Sequence, residues 1–447
     1  MTLSKNRDRI CPWSLNSRFW QFKGKPVLLL GGSCEDNLFQ IPSLEEHLDL
    51  LVSSGGNYVR NTMSARDPGN VQPHRLCDDG LYDLEQWSEE YWERFDRFLK
   101  LTSEREIIAQ FEIWDRFDFA CDPWQYNSFN PKLNKNYTTE ESKLAENLHK
   151  HSCENESRWF FSIPEHDNNE LLLKYQKAYV DKVLSYSLNY PNVLYCMDNE
   201  TSGVAEWGSY WSEYIKTKTF EKDAVVQTTE MWDSWYLTDD THAYTWKHPE
   251  TYSFCDVSQN NHQKGQDHWD NLQAFQKYIN PIRPVNTVKT YGADGAIHGD
   301  STDGKERFWR SIFGGCASAR FHRPPAGLGL SEEAQFRIKS LRMVVESINW
   351  FEGEPHNELF SERSANGAYC YANIGKEYAI YFPNGEPVTI DLSHSPGKLI
   401  AKWLNISKSK WHKEECVSGK TRLVPPNKEE WAVVIVKKKE QPEKDKE

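Results

Sequence analysis

The chain has 447 residues, 38% of them hydrophobic, which allows two or three domains with large cores and excludes an intrinsically disordered protein. Its 53 Lys and Arg against 66 Asp and Glu give a net charge of −13, so we expect no nucleic-acid partner. No apolar run approaches the roughly 18 residues of a membrane span, so we expect no membrane partner either.

The start of the chain and its cysteines set further limits. The polar segment 1–11 has no apolar stretch behind it, so no signal peptide is visible, and we expect a cytoplasmic protein or a periplasmic one whose leader was removed. Ten cysteines without a CxxC pair predict neither a zinc ribbon nor a redox dithiol. Irregular histidine spacing and the lack of a phosphate-binding glycine pattern predict no metal and no cofactor.

Eight short runs rich in Val, Ile and aromatic residues alternate with stretches of helical spacing. This alternation is typical of parallel β/α units. The predicted strands are 26–30, 57–60, 107–114, 193–197, 224–228, 254–258, 284–288 and 316–319. Eight such units indicate an α/β protein of the (β/α)8 TIM-barrel type, whose active site lies where the strands end.

The pattern changes near residue 357 to short alternating strands with hairpin turns, such as Asn384-Gly385, which predicts a small C-terminal antiparallel β-sandwich. We therefore expect an N-terminal extension (1–25), a catalytic barrel (26–355), the sandwich (356–437) and a charged, disordered tail (438–447). An aromatic-rich insertion, 118–165, follows the third strand. Loops of this length are usually functional or disordered.

A carboxyl group follows the fourth predicted strand in the run Asp198, Asn199, Glu200. Many retaining glycosidases keep their acid/base residue after an Asn at this strand end. With the Lys-Pro-Val of 25–27, the Arg-Pro-Val of 283–285 and the sandwich, the chain resembles the apiosidase-like glycoside hydrolases, which join such a barrel to a collagen-binding-like β-sandwich. The resemblance implies a catalytic Glu200. The alternative is a glutamate that caps a helix or pairs with an arginine.

The chain departs from these relatives after strand seven. They place a second catalytic glutamate about four residues beyond the Pro-Val motif, where this chain has Lys289. A lysine can neither form a glycosyl ester nor stabilise a growing positive charge, so ordinary retaining hydrolysis is not expected. An inverting hydrolase that recruits Glu112, Asp115 or Glu230 as its base stays open.

Basic residues gather at two strand ends. Arg320, His322 and Arg323 follow strand eight, and Arg60 ends strand two. In a chain of net charge −13, such a cluster at a barrel mouth predicts an anionic group on the substrate, because arginine suits bidentate binding of a carboxylate. The alternative is that Arg320 or Arg323 pairs with Asp198, Glu230 or Glu112 and holds loops in place.

Together these features favour β-elimination on a uronic-acid-containing oligosaccharide. Cations would neutralise the uronate while Lys289, Tyr291 or His322 removes the proton next to it, and Glu200 would protonate the departing oxygen. Loss of water from the uronate at the non-reducing end is favoured. The protein would then be a dehydratase, a carbon–oxygen lyase of polysaccharide breakdown, and here the chain resembles the oligosaccharide dehydratases of ulvan breakdown. Two alternatives stay open: a glycoside hydrolase on anionic sugars with Glu200 as acid/base, and a non-catalytic glycan-binding protein.

Other strand-end residues are predicted to bind the acidic oligosaccharide beside Arg60, Arg320 and Arg323. They are Asn61, Glu112, Asp115, Asp198, Asn199, Glu230, Trp232, Asn260 and His262. Six tryptophans in strand-end loops, at 114, 124, 232, 235, 246 and 269, are candidates for stacking on sugar rings, and about half of them are expected to pack in the core instead. The linkage and the oligomeric state are not predicted.

Overall fold

A barrel of parallel strands forms the centre of the computed structural model, which describes residues 8–295 and 297–437. Its strands are β1 (Leu29–Gly32), β2 (Tyr58–Thr62), β3 (Ile108–Asp115), β4 (Val193–Asn199), β5 (Thr228–Thr229), β6 (Cys255–Asp256), β7 (Val285–Asn286) and β8 (Ser318–Phe321). One sheet has the order β5-β4-β3-β2-β1-β8, and β6 pairs with β7. Backbone hydrogen bonds join the two: Ser253 N donates to Thr228 O over 3.0 Å, and Ala317 N to Val285 O over 2.7 Å. The predicted (β/α)8 barrel is confirmed.

The main helices surround this barrel. They are α1 (Leu44–Ser53), α2 (Glu89–Glu104), α3 (Glu170–Ser187), α4 (Ala205–Phe220), α5 (Asp240–Trp246), α6 (Gly265–Gln276), α7 (Ser301–Phe313) and α8 (Glu332–Ser347). Helix α2 shows how the sequence builds them. The Ser88 hydroxyl caps its first turn, and Tyr91, Phe95 and Phe98, at helical spacing, are all buried. In the described ranges, no helix is long and apolar enough to cross a membrane.

Two predicted strands differ from the observed ones. The run 26–30 is divided, because Lys25–Val27 belongs to an antiparallel N-terminal sheet with Cys11–Pro12 and Trp20–Phe22, and the barrel strand begins at Leu29. Strand five was expected at 224–228 but forms at Thr228–Thr229, since Val225 is 59% exposed. Residues 1–7 of the expected extension and the expected tail 438–447 lie outside the described residues.

The C-terminal part consists of two antiparallel sheets. Their strands are β9 (Glu354–Pro355), β10 (Phe360–Ser361), β11 (Tyr369–Asn373), β12 (Glu377–Phe382), β13 (Val388–Asp391), β14 (Leu399–Asn405), β15 (Lys410–Val417), β16 (Lys420–Leu423) and β17 (Trp431–Lys437). The sheet orders are β9-β11-β12-β17-β14-β15 and β10-β13-β16. Strands β15 and β16 are not among the strands predicted, because charged residues dominate them. Charges on an edge strand such as β15 oppose pairing with other chains.

Aromatic contacts connect the two parts. Trp350, beyond α8, stacks on Tyr371 of β11 at 3.9 Å and 4°, and Trp309 of α7 stacks on Tyr381 of β12 at 5.1 Å. Arg337 of α8 also pairs with Glu430. Burial of such large rings favours a fixed contact between the barrel and the sheets.

Short segments complete the described chain. A hairpin pairs His74–Leu76 with Tyr82–Trp87, and brief helices span Cys121–Trp124 and Thr139–Ser142. The short 3-10 turns are Leu38–Gln40, Arg116–Phe119, Ser152–Glu154, Arg158–Phe161, Ser258–His262, Trp350–Glu352, Asn357–Leu359 and Ile406–Lys408. The insertion 118–165 folds around stacked rings, with Phe119 4.9 Å and Phe129 4.5 Å from Trp159.

Candidate active site

Glu200 follows β4 directly at the mouth of the barrel. Its backbone has a φ of +55°, in the left-handed region that non-glycine residues rarely occupy. Such a conformation costs on the order of 1–3 kcal/mol and is typical of functional positions. The side chain is 15% exposed, so its carboxylate can reach solvent from a mostly buried setting.

Two residues that follow β7 meet this carboxylate. Lys289 Nζ donates to Glu200 Oε1 over 2.5 Å and also donates to Asn199 Oδ1. The hydroxyl of Tyr291 donates to the same Glu200 oxygen over 3.2 Å. The structure therefore brings together three of the four predicted catalytic side chains. Gln259, which the sequence did not single out, adds another hydrogen bond to Glu200.

The ion pair determines the charge of Glu200. Burial alone would raise the pKa of this carboxyl, but the charge and hydrogen bond of Lys289 outweigh burial and lower the pKa to about 2. Glu200 is thus ionised across the ordinary pH range. Lys289 is 1% exposed, and its Nζ is engaged as a hydrogen-bond donor to two oxygens. The predicted proton transfers, with Lys289 as the base and Glu200 as the acid, are not supported.

Asp115 fixes the amide that helps to hold Lys289. Asn199 Nδ2 donates to Asp115 Oδ1 over 3.0 Å, which directs Asn199 Oδ1 towards the ammonium. Arg66 pairs with Asp115 and, at 3.0 Å, with Asp118. Asp115 and Asn199 thus lie at the site, but they position Lys289 and are buried.

Aromatic and imidazole rings lie next to Glu200. We call Trp235, His262, His298, Tyr291 and His322 the aromatic wall. Trp235 lies flat on His262 at 3.7 Å and 9°, and His262 contacts His298 at 4.7 Å. Tyr291 contacts His298 and His322, each at 4.3 Å. Trp235 is 47% exposed, whereas the other five candidate tryptophans are buried.

The imidazoles of the aromatic wall are neutral. Burial and the neighbouring His298 lower the pKa of His262 to about 4, and burial also lowers the pKa of His298. The pKa of His322 lies well below its ordinary value because burial outweighs the nearby Asp36. His322, the fourth predicted catalytic residue, lies behind Tyr291 and is 6% exposed. A wall of neutral rings suits an apolar sugar face better than an anion.

The predicted arginine clamp is not formed. Arg60 is fully buried between Asp36 and Glu112, with 2.5 Å separating its Nη2 from Glu112 Oε2. Burial raises the pKa of Glu112 and the charge of Arg60 opposes that rise. The Arg60 guanidinium is thus bound within a buried carboxylate network and is not available to a substrate.

The two arginines after β8 are also committed to protein groups. Arg320 is fully buried and donates to Val288 O over 2.6 Å and to the hydroxyl of Ser33. Arg323 pairs with Asp36 at 3.0 Å and with Glu35 at 3.1 Å. Apart from Val288, their partners lie in the loop after β1, whereas the alternative predicted Asp198, Glu230 or Glu112 as partners.

Several predicted binding residues lie in the core. Asp198 pairs with Arg116 at 3.0 Å, and Glu230 accepts from the Thr201 hydroxyl over 2.6 Å. Burial and the charge of Asp198 raise the pKa of Glu230 well above its ordinary value, so this side chain is neutral. Neither carboxyl reaches solvent. Glu230 is therefore not available as the base of an inverting hydrolase.

Three more predicted binding residues have structural partners. Asn61 Oδ1 accepts from Phe39 N over 3.0 Å, and Asn260 Nδ2 donates to His268 O over 3.0 Å. Trp232 is 1% exposed and its indole donates to the Thr245 hydroxyl over 2.6 Å. None of the three presents its side chain to the mouth of the barrel.

Asp233, one residue beyond Trp232, belongs to the site and was not predicted. Its side chain is half-buried. Burial, then the charge of Glu200, raises its pKa to about 6. The sequence did contain a signal for Asp233, because this carboxyl residue directly follows Trp232, which was predicted as a binding residue after strand five. Among the described residues, no group of three or more His, Cys, Asp or Glu side chains could hold a metal ion.

Comparison with known proteins identifies the architecture of the chain. No family model matches the chain, and no curated protein matches its sequence. A glycoside hydrolase family 5 structure from Bacteroides vulgatus is similar with a TM-score of 0.63 at 14% identity, over 96% of this chain and 94% of that one. The chain has the fold of a glycoside hydrolase. A second structure, described as a glycoside hydrolase, matches with a TM-score of 0.64 at 12% identity, over 97% and 98% of the two chains.

A GH30 endoxylanase from Clostridium papyrosolvens is similar too, with a TM-score of 0.52 at 10% identity, over 92% of this chain and 97% of that one. These similarities correct the expected enzyme class, since the similar structures are hydrolases and the sequence led us to expect a carbon–oxygen lyase. That prediction was wrong. It depended on free arginines that would grip a uronate, and the structure pairs Arg60 and Arg323 with carboxylates.

Proposed function

We propose that this protein is a carbohydrate-active enzyme that hydrolyses glycosidic bonds at the site around Glu200. The observation that carries the proposal is the ionised, solvent-reaching carboxylate of Glu200 at the end of β4, in a barrel with the fold of glycoside hydrolases. Catalytic groups of such barrels lie at this face. A carboxylate beside the anomeric carbon can stabilise positive charge there, attack that carbon or activate water.

The position of Lys289 decides how Glu200 is used. In the apiosidase-like hydrolases that the sequence resembles, a second glutamate occupies the corresponding place after strand seven. Here Lys289 neutralises Glu200 at 2.5 Å and keeps it ionised. A carboxyl with a pKa of about 2 is a poor proton donor near neutrality. Glu200 therefore acts as the charged member of the catalytic pair, and the proton comes from elsewhere.

The substrate of this proposal is a glycan that need not be acidic. The arginines expected to bind a uronate are paired within the protein, and the aromatic wall is uncharged. Trp235 offers an exposed ring surface next to the site, and flat aromatic faces suit the apolar faces of sugar rings. Membership of the apiosidase-like group remains our prediction for the family.

The test is hydrolysis of aryl glycosides of glucose, mannose, xylose and glucuronic acid, with release of reducing sugar as the readout. Wild type should hydrolyse at least one of them, and Glu200→Gln should abolish that activity. Glu206→Gln is the matched control, since Glu206 is a half-exposed carboxylate of the following helix and pairs with His166 at 3.5 Å. Absence of hydrolysis in wild type, or ultraviolet absorbance of an unsaturated sugar without reducing ends, would contradict the proposal.

A further inference from the structure

Asp233 is tied by its backbone to the residue after Glu200. Thr201 N donates to Met231 O over 2.7 Å, and Asp233 N donates to Thr201 O over 2.9 Å, so the two chain segments run side by side. Standard backbone dimensions then place the Cα atoms of Glu200 and Asp233 roughly 10 Å apart at most. The side chains can therefore bring their carboxyl groups to the separations of about 5–9.5 Å that glycosidase pairs use.

The surroundings of Asp233 combine burial with mixed charge. The charges of Glu200, Lys289 and Arg116 act on the Asp233 carboxyl. Cys153 of the 152–154 turn lies near the carboxyls of both Asp233 and Glu200. Arg116 forms an ion pair with Asp198 at 3.0 Å and donates to Asn155 Oδ1 over 2.5 Å. Within the described ranges we find no hydrogen bond or ion pair to the Asp233 carboxyl, which leaves its oxygens open to a ligand. Half-burial together with an ionised carboxylate nearby favours the protonated form of Asp233.

We propose that Asp233 is the proton donor of the glycosidic cleavage, opposite the ionised Glu200. This inference rests on the proposed function and goes one step further. It assigns the role of acid to Asp233, after strand five, and not to Glu200, after strand four. The two carboxyls differ in environment: Lys289 keeps one ionised, and burial beside that charge raises the pKa of the other to about 6. Such a divergence within a pair identifies the acid and the base.

Other candidates for the donor are less suitable. The pKa of Tyr291 lies well above its ordinary value through burial and the charge of Glu200, and its hydroxyl already donates to that carboxylate. Glu230 is neutral but fully buried. His262 has a pKa of about 4 and carries no proton to give near neutrality. Asp233 is protonated below about pH 6 and reaches solvent.

The step balances with one water molecule. The bond between the anomeric carbon and the leaving oxygen breaks, its electron pair goes to that oxygen, and the oxygen takes the proton of Asp233. Over the full turnover, water supplies the hydroxyl that bonds to the anomeric carbon and the proton that restores Asp233. Glu200 stabilises the positive charge that develops at the anomeric carbon meanwhile.

The experiment compares Asp233→Asn with wild type on paired methyl and 2,4-dinitrophenyl glycosides of glucose, mannose, xylose and glucuronic acid. A methyl glycoside needs protonation of its leaving oxygen, and a dinitrophenyl glycoside does not. We expect kcat/KM of the variant to fall at least about 100-fold on the methyl glycoside and less than about 10-fold on the dinitrophenyl one. Wild-type kcat/KM on the methyl glycoside should fall as pH rises through about 6, and the variant should lack that fall.

Asp240→Asn is the matched control, because Asp240 is an exposed carboxylate close in sequence. Thermal melting of both variants separates loss of folding from loss of the acid. Equal losses on the two substrates, or an alkaline fall that survives in Asp233→Asn, would overturn the inference. In that case Glu200→Gln would still be inactive and the proposed function would stand, whereas wild type that hydrolyses none of the glycosides would remove the proposed function itself.

Discussion

Lys289 and Glu200 form an ion pair of 2.5 Å at the mouth of the barrel, with side chains 1% and 15% exposed. The pair joins the residue that follows β4 to a lysine that follows β7. Because the pair is mostly withdrawn from water, the charge of each partner depends on the other. This dependence gives the pair a measurable effect on stability and on pH behaviour.

Replacement of Lys289 by Met should lower the free energy of unfolding by about 3 kcal/mol at pH 8, because it leaves the charge of Glu200 buried and unpaired. In wild type the pKa of Glu200 is lowered to about 2, so the stability from its ionisation is present above the unfolded pKa and is lost as pH falls through 2. In the variant, burial raises that pKa instead. The stability from the protonated form is then lost as pH rises, and denaturant unfolding should show a defect that is larger at pH 8 than at pH 5.

The double variant Lys289→Met with Glu200→Gln is the control for this prediction. Since it removes both charges, it should recover most of the lost stability at pH 8. Lys264→Met is the comparison in which a lysine is lost from a more exposed ion pair, because Lys264 contacts Asp303 at 3.3 Å and is 47% exposed. A defect in Lys289→Met that is independent of pH would mean that lost packing, and not the charge of Glu200, causes it.

Arg60 should be needed for folding and not for substrate binding. It is fully buried between Asp36 and Glu112, and removal of one partner from such a network costs about 3–5 kcal/mol. Arg60→Met should therefore unfold at a much lower denaturant concentration. Arg97→Met is the comparison, since Arg97 and Glu45 are each about half exposed, and its effect should stay within about 1 kcal/mol. An Arg60→Met protein as stable as wild type, with a raised KM, would restore the clamp that the sequence had indicated.

The convergence of Glu200, Lys289 and Tyr291 could be predicted from the sequence. Each follows an apolar run that forms a barrel strand, and the ends of parallel strands meet at one rim. The pairing of Arg60 with Asp36 could not. Asp36 lies in the loop after β1, and which carboxylate fills the space beside a guanidinium depends on how loops pack. Periodicity carries no information about that packing.

Asp233 shows a different limit. Strand five has only two residues, and the expected run at 224–228 overlaps it at Thr228 alone. A short strand has little apolar pattern, because neighbouring strands and helices hold it in place. The carboxyl one residue beyond Trp232 was therefore outside the predicted set, although the rule that strand ends carry function applied to it.

Arg323 should not select acidic substrates. It is 29% exposed and paired with both Asp36 and Glu35, so Arg323→Met should change kcat/KM on a glucuronide and on the matching glucoside by the same factor, within about threefold. The comparison of aryl glucuronide with aryl glucoside in the same buffer measures this ratio. Selective loss of the glucuronide activity would show instead that the guanidinium leaves its partners to bind a uronate.

Trp235 should act in binding and not in the chemical step. Its ring covers His262 at 3.7 Å and remains 47% exposed, so a sugar ring can rest on its free surface. We expect Trp235→Ala to raise KM about tenfold, equivalent to about 1.4 kcal/mol, and to leave kcat within about twofold. Trp411→Ala is the matched control, because Trp411 is 41% exposed on β15 of the C-terminal sheets. If Trp235→Ala left KM unchanged, or if both variants raised it equally, the aromatic wall would not be a sugar-binding surface.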